Sequence, residues 1–199
     1  MPRAQSPVVE KPSPRLEHLL IALSRWRIQL GFCFTIAALL CARPTWHSYL
    51  SFLPLVAGGV ALRAWARGHL DRAERVCTGG PYRLMRHPLY VGSFLMGLGV
   101  TLMALPWAFV PLFAVVFLVM YVPKALREEA YLSDRFGDAY PLYANAVGPV
   151  MPHLRHGIVG EDIRSHFEWR RVWRHREWHT WIGLAAVLVS VWLPSLLWP

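Results

Sequence analysis

Two short polar segments, each beside an apolar run, hold the residues whose types and spacing suit chemistry. The first reads Gly79-Gly80-Pro81-Tyr82-Arg83-Leu84-Met85-Arg86-His87-Pro88-Leu89-Tyr90-Val91-Gly92. A tether between helices needs only charge and flexibility. This segment adds prolines that fix the backbone, glycines that admit unusual dihedrals, two tyrosines, and a histidine next to an arginine. Pro88 suits the first position of a helix, where its missing N–H costs nothing. Arg86 and His87 are then expected at the mouth of that helix, with Tyr90 and Gly92 just inside it. A helix start carries partial positive charge and free N–H groups, which favour a carboxylate or a phosphate. The second segment is Arg127-Glu128-Glu129-Ala130-Tyr131-Leu132, followed by Phe136-Gly137, Tyr140, Tyr143 and Pro152. Paired glutamates at the end of an apolar helix are costly unless a cation needs them, and a sulfonium or ammonium group would be such a partner.

Each feature also has a plainer reading. Arg86-His87-Pro88 could be a basic cluster before a helix-starting proline. Glu128 and Glu129 could be a solvated pair beside Lys124 and Arg127, and Tyr82 and Tyr90 could be anchors at the headgroup level.

The elements that position these segments follow from hydropathy. Apolar residues make up 55% of the 199, too many for an ordinary soluble domain, so a membrane protein is expected. A helix crosses the bilayer core with about 20 apolar residues. Five runs approach that length, at Ile28–Ala42, Trp46–Trp65, Leu89–Leu105, Trp107–Val122 and Trp181–Trp198. The expected fold is therefore all-α, a polytopic bundle of about five membrane helices. Pro54 and Gly58-Gly59 suggest a kink or close packing in the second run, and the third and fourth form a tight hairpin around Pro106.

Lys and Arg number 21 against 12 Asp and Glu, a net charge of +9. They crowd the amino-terminal tail, the stretch from Arg63 to Arg86 and the long segment from Lys124 to Arg176, whereas the opposite loops hold only Arg43. The positive-inside rule places the tail and both long loops in the cytoplasm and the carboxyl terminus on the far side. Most of the charge is this topological bias, so no nucleic-acid partner is expected. Arg170-Arg171-Val172-Trp173-Arg174 reads as a segment lying on anionic lipid headgroups. Cys33, Cys41 and Cys77 have no C-x-x-C spacing, and His175 and His179 lack a third ligand, so neither a disulfide framework nor a metal is expected.

Gly-Pro-Tyr-Arg-x-x-Arg-His-Pro-x-Tyr-x-Gly, followed by Glu-Glu-x-x-Leu-x-x-x-Phe-Gly-x-x-Tyr-x-x-Tyr, resembles the integral-membrane methyltransferases typified by isoprenylcysteine carboxyl methyltransferase and phospholipid N-methyltransferases. The likeness runs over about 62–152, within a core of 16–152. A flexible tail (1–15) precedes it; a basic interfacial segment (153–180) and a terminal helix (181–199) follow. The resemblance implies an S-adenosylmethionine site in the cytoplasmic loops that opens sideways to lipid, so that a lipophilic acceptor need not leave the bilayer. Tyr82, His87, Pro88, Tyr90, Gly92, Glu128 and Glu129 would line that site, and Tyr140 and Tyr143 would close it. Arg86 and Glu128 would stand closest to the reacting groups, Arg86 positioning a carboxylate acceptor or Glu128 serving an amine. Two departures from the pattern are Pro141 after Tyr140 and the uncharged Ala144-Asn145-Ala146. Competing expectations are a nicotinamide-dependent lipid reductase, although no Gly-x-Gly-x-x-Gly follows a strand, and a non-catalytic membrane scaffold.

Overall fold

The computed structural model describes residues 29–197 apart from 30, 32, 39, 71–74, 105 and 152–165, with side chains to Leu193. The tail and residues 153–165 of the basic segment fall outside the described residues, whereas residues 170–174, expected to lie on headgroups, fall in a short helix. Among those described, regular structure is helical throughout.

Helical residues within 29–40 form α1. Next come α2 (Trp46–His69), a 3₁₀ turn (Gly80–Arg83), α3 (Pro88–Ala104), α4 (Phe109–Phe136), α5 (Ala139–Ala146), α6 (Trp169–Arg174) and α7 (Glu177–Leu197). Thr45 and Ser48 start α2 by a reciprocal capping box, which satisfies N–H groups that the first turn would leave orphaned. The Ser48 hydroxyl also lies 3.2 Å from Met103 O, tying the start of α2 to the end of α3.

The contact between α2 and α3 is built on small residues. A Cβ placed on Gly59 would lie 2.6 Å from Gly92 O and 2.9 Å from Met96 N, so the two backbones touch only because that side chain is absent. Close packing is thus the outcome at Gly59, and α2 runs through Pro54 as one helix. On its other side α3 forms an antiparallel hairpin with α4, with Tyr90 against Tyr121, Phe94 against Phe117, and Gly97 beneath the Phe113 ring. Phe34 of α1 packs on Phe109 and Phe113. Helix α7 runs antiparallel to α2, with Trp192 against Trp46 and Tyr49 at one end and Glu177 against Arg63 and Arg67 at the other.

Among the described residues two helices are long and apolar enough to cross a membrane, α2 and α4; α3 and residues 177–193 are shorter apolar helices. Leu112, Val115, Leu118 and Val122 on α4, with Ile182 and Val189 on α7, are exposed. Such outward apolar faces on helices with satisfied backbones suit a lipid surroundings, and the chain is a membrane protein.

Three boundaries differ from expectation. Helix α2 continues to His69, so Arg63 and Arg67 are helical and not in a loop. Helix α4 passes through Pro123 and carries the second polar cluster as one continuous rod. Helix α7 begins at Glu177, one turn before the apolar run. In each case the helix extends past the apolar run through charged residues, because hydropathy registers a charge and not what it contacts.

Candidate active site

Main-chain hydrogen bonds join the two chemistry-bearing segments. Arg86 N donates to Gly148 O at 2.9 Å and His87 N to Pro149 O at 3.1 Å. Below them, Tyr143 Oη donates to Tyr82 O at 2.7 Å, and Tyr140, Tyr143 and Val147 pack with Val76, Leu132 and Phe136. Helix α5, which supplies both tyrosines, follows Gly137, whose φ of +54° turns the chain sharply at the end of α4. Pro141 falls in the first turn of α5, where no N–H partner is lost, so it is compatible with the helix. Burial pushes the Tyr82 and Tyr143 phenols well above their usual value and the Tyr140 phenol up to about 12. All three therefore stay protonated, as donors, at ordinary pH.

Pro88 opens α3 as expected, and the His87 carbonyl accepts from Tyr90 N and Val91 N in its first turn. His87 stacks on Tyr90, with ring centroids 5.3 Å apart and planes 12° from parallel. Glu128 and Glu129 take separate places, because adjacent residues on a helix point about 100° apart. Tyr90 Oη donates to Glu128. Glu129 Oε1 instead receives Arg86 Nη1 at 3.0 Å and faces His87 Nε2 at 2.9 Å, a three-membered cluster behind the Tyr90 ring. Arg86 keeps one buried donor, Nε, without a partner among the described residues.

These groups border a cavity of about 890 Å³ between α2, α3, α4 and α5. Tyr82, Arg86, His87, Pro88, Tyr90, Glu128, Tyr140 and Tyr143 line it. Two expected residues stand apart. Glu129 lies behind the wall, and Gly92 faces α2, where a Cβ would meet the Arg63 side chain and Gly59 O.

The cavity also has lining residues that motif reading passed over: Arg63, Arg67, Arg75, Lys124 and Arg135, with Lys124 Nζ 5.2 Å from the Tyr90 ring centre. Glu177 behind them is 1% exposed and pairs with Arg63 at 2.6 Å and Arg67 at 3.1 Å. The available signal was Arg63 and Arg67 at four-residue spacing, one helical face, at the end of an apolar helix. His175 approaches Leu70 O at 3.1 Å while His179 stacks on Trp178, so the two histidines do not converge.

Comparison with known proteins gives this arrangement a family. The chain is 30% identical over 52% of its length to a protein-S-isoprenylcysteine O-methyltransferase of Schizosaccharomyces pombe, of which it covers 44%. It is 31% identical over 65% of its length to the cobalt-zinc-cadmium resistance protein CzcN of Cupriavidus metallidurans, covering 62% of that protein. It is 28% identical over 74% of its length to the nickel-cobalt-cadmium resistance protein NccN of Alcaligenes xylosoxydans xylosoxydans, covering 73%. The chain thus spans less than two thirds of the first two relatives. No solved structure matches it significantly. Residues 32–139, which include α2, α3, α4 and the joined segments up to the start of α5, match the phospholipid methyltransferase family, and the chain belongs to that family.

Proposed function

We propose that the chain transfers a methyl group from S-adenosylmethionine to a lipophilic acceptor, a carboxylate or an amine, that reaches the cavity from the bilayer on the cytoplasmic face. The observation that carries this reading is the meeting of both segments around one cavity, with Glu128 held by Tyr90 on its wall. A volume of about 890 Å³ lies within the range of small-molecule sites. The donor set fits the cofactor: a carboxylate for its cationic groups, tyrosine rings for its base, and arginines for its carboxylate.

When bound, S-adenosylmethionine supplies an activated methyl group on a sulfonium, open to in-line displacement. The protein's part is to position the reactants, which can lower a barrier by about 7–11 kcal/mol in well-aligned cases. Glu128 would favour positive charge near the Tyr90 hydroxyl. Glu129 fixes Arg86 and His87, and Arg86, which lines the cavity, would orient an acceptor oxygen. If the acceptor is an amine, Glu128 is the carboxylate able to take its proton. Tyr140 and Tyr143, buried and protonated, hold α5 against the 3₁₀ turn and close the side of the cavity away from the bilayer.

Calorimetric titration of detergent-purified protein with S-adenosylhomocysteine tests the reading. Micromolar binding is expected for the wild type, with loss of at least tenfold in Glu128→Ala and His87→Ala. A folded wild type that gives no heat would remove the cofactor from the proposal.

A further inference from the structure

Arg63 and Arg67, one turn apart on α2, meet the same buried carboxylate but are left with different capacities. Arg63 has a partner at every nitrogen: its Nε is bound to Glu177 at 2.6 Å, Nη1 to Leu89 O and the Ser93 hydroxyl at 3.2 and 2.5 Å, and Nη2 lies 3.5 Å from the Thr180 hydroxyl. Arg67 is bound through Nε alone, to the other Glu177 oxygen at 3.1 Å. Its two terminal nitrogens have no partner among the described residues, and the side chain lines the cavity. A guanidinium gripped at Nε presents those nitrogens as a planar fork, the geometry that binds an oxyanion through two parallel hydrogen bonds.

The grip comes from beyond the matched region. Glu177 is the first residue of α7, outside residues 32–139, and the chain leading through α6 into α7 makes further contacts to the end of α2. Glu168 N donates to Gly68 O at 3.0 Å, and the Phe167 ring occupies the space where Gly68 lacks a side chain. A Glu177 carboxylate that is 1% exposed with two arginines on it cannot turn to solvent, so it locks the Nε edge of Arg67 in one orientation.

We propose that Arg67 is an oxyanion anchor of the cavity and that Glu177 is the positioning residue that aims it, the anchored group being a carboxylate of the cofactor or of the acceptor. This rests on the methyl-transfer reading and adds to it the part played by the carboxyl-terminal helix.

The test compares wild type, Arg67→Gln, Glu177→Gln and Glu177→Asp as full chains in detergent, after confirming folding. Two nucleosides serve as probes, S-adenosylhomocysteine and 5′-methylthioadenosine, which lacks the amino-acid carboxylate; N-acetyl-S-farnesylcysteine serves as a prenylated carboxylate acceptor. If the cofactor's carboxylate is held, both Gln variants lose about tenfold or more in S-adenosylhomocysteine affinity while binding of 5′-methylthioadenosine is unchanged. If the acceptor's carboxylate is held, both nucleosides bind as in wild type and KM for the farnesyl acceptor rises about tenfold with kcat retained. Glu177→Asp should recover part of either loss. Equal loss for both nucleosides, or no change in any of the three constants, overturns the anchor. An effect in Arg67→Gln with none in Glu177→Gln overturns the positioning role, and where Glu177→Gln fails to fold, Arg67→Gln and Glu177→Asp decide. Wild-type protein that binds neither nucleoside sinks the methyl-transfer reading instead, a result distinct from all of these.

Discussion

Glu128 and Glu129 are neighbours in sequence, yet one contacts a phenol on the cavity wall and the other holds an arginine and a histidine behind it. Glu129→Gln should therefore act through Arg86 and His87. Loss of charge-assisted hydrogen bonds costs roughly 1.5–3 kcal/mol, so thermal stability should fall and methyl transfer should drop by about tenfold or more. Glu128→Gln should leave the melting temperature close to wild type and weaken S-adenosylhomocysteine binding. Thermal unfolding and titration of the two variants side by side would refute this division if their effects matched. Arg86, His87, Tyr90 and Glu128 could be picked out from the sequence because polar groups of those types at a membrane surface need a reason. Which glutamate faces the cavity could not be read from residue type and spacing, since it depends on the phase of α4 relative to Pro88; the family resemblance alone favoured Glu128. Gly92 shows the reverse case: its place in the motif suggests a ligand, while its surroundings are the backbone of α2 and the Arg63 stem.

At the scale of elements, helix identity follows directly from apolar periods, and helix ends do not. Pro123 would normally break a helix by removing one hydrogen bond and crowding the preceding turn. Helix α4 nonetheless continues to Phe136, where contacts between Leu132, Phe136 and the α5 tyrosines favour the extension. The Arg63 and Arg67 charges end the apolar run of α2 without ending the helix, and Glu177, more than a hundred positions away, pairs with both. The glycines of α2 separate packing from mere helical permissiveness. Gly59→Leu should destabilise the protein by about 1–3 kcal/mol or more, because its Cβ would sit 2.6 Å from Gly92 O on a rigid neighbour. Gly58→Ala, with nothing within 4 Å of the added carbon, should be neutral or stabilising by up to about 1 kcal/mol. Thermal unfolding of both in the same detergent distinguishes a packing interface from a general intolerance of side chains on α2.

The whole molecule is polar at one end. Antiparallel packing of α2 with α3, α3 with α4 and α2 with α7 gathers Arg63, Arg67, Arg86, Lys124 and Arg127 at the cavity end, and leaves Arg43, Trp46, Trp107 and Trp192 at the other. Such an arrangement has one favoured orientation, since each Lys or Arg carried to the far side opposes insertion. The tally of runs that made five crossings plausible from sequence becomes, in the structure, a statement about ends: the turn between α3 and α4 and the end of α7 share one side, and the cavity lies toward the other. A variant with Cys33, Cys41 and Cys77 changed to Ala provides the background for a direct test in sealed cells. Ala108→Cys, in the exposed turn before α4, should react with a membrane-impermeant maleimide added outside. Met151→Cys, 76% exposed beside the cavity end, should react only after the membrane is permeabilised. The opposite pattern would put the cavity on the external face, away from any cytoplasmic supply of S-adenosylmethionine, and would contradict both the orientation and the use of that cofactor. Labelling of both sites from outside would remove the membrane between them and with it the expectation that α4 crosses.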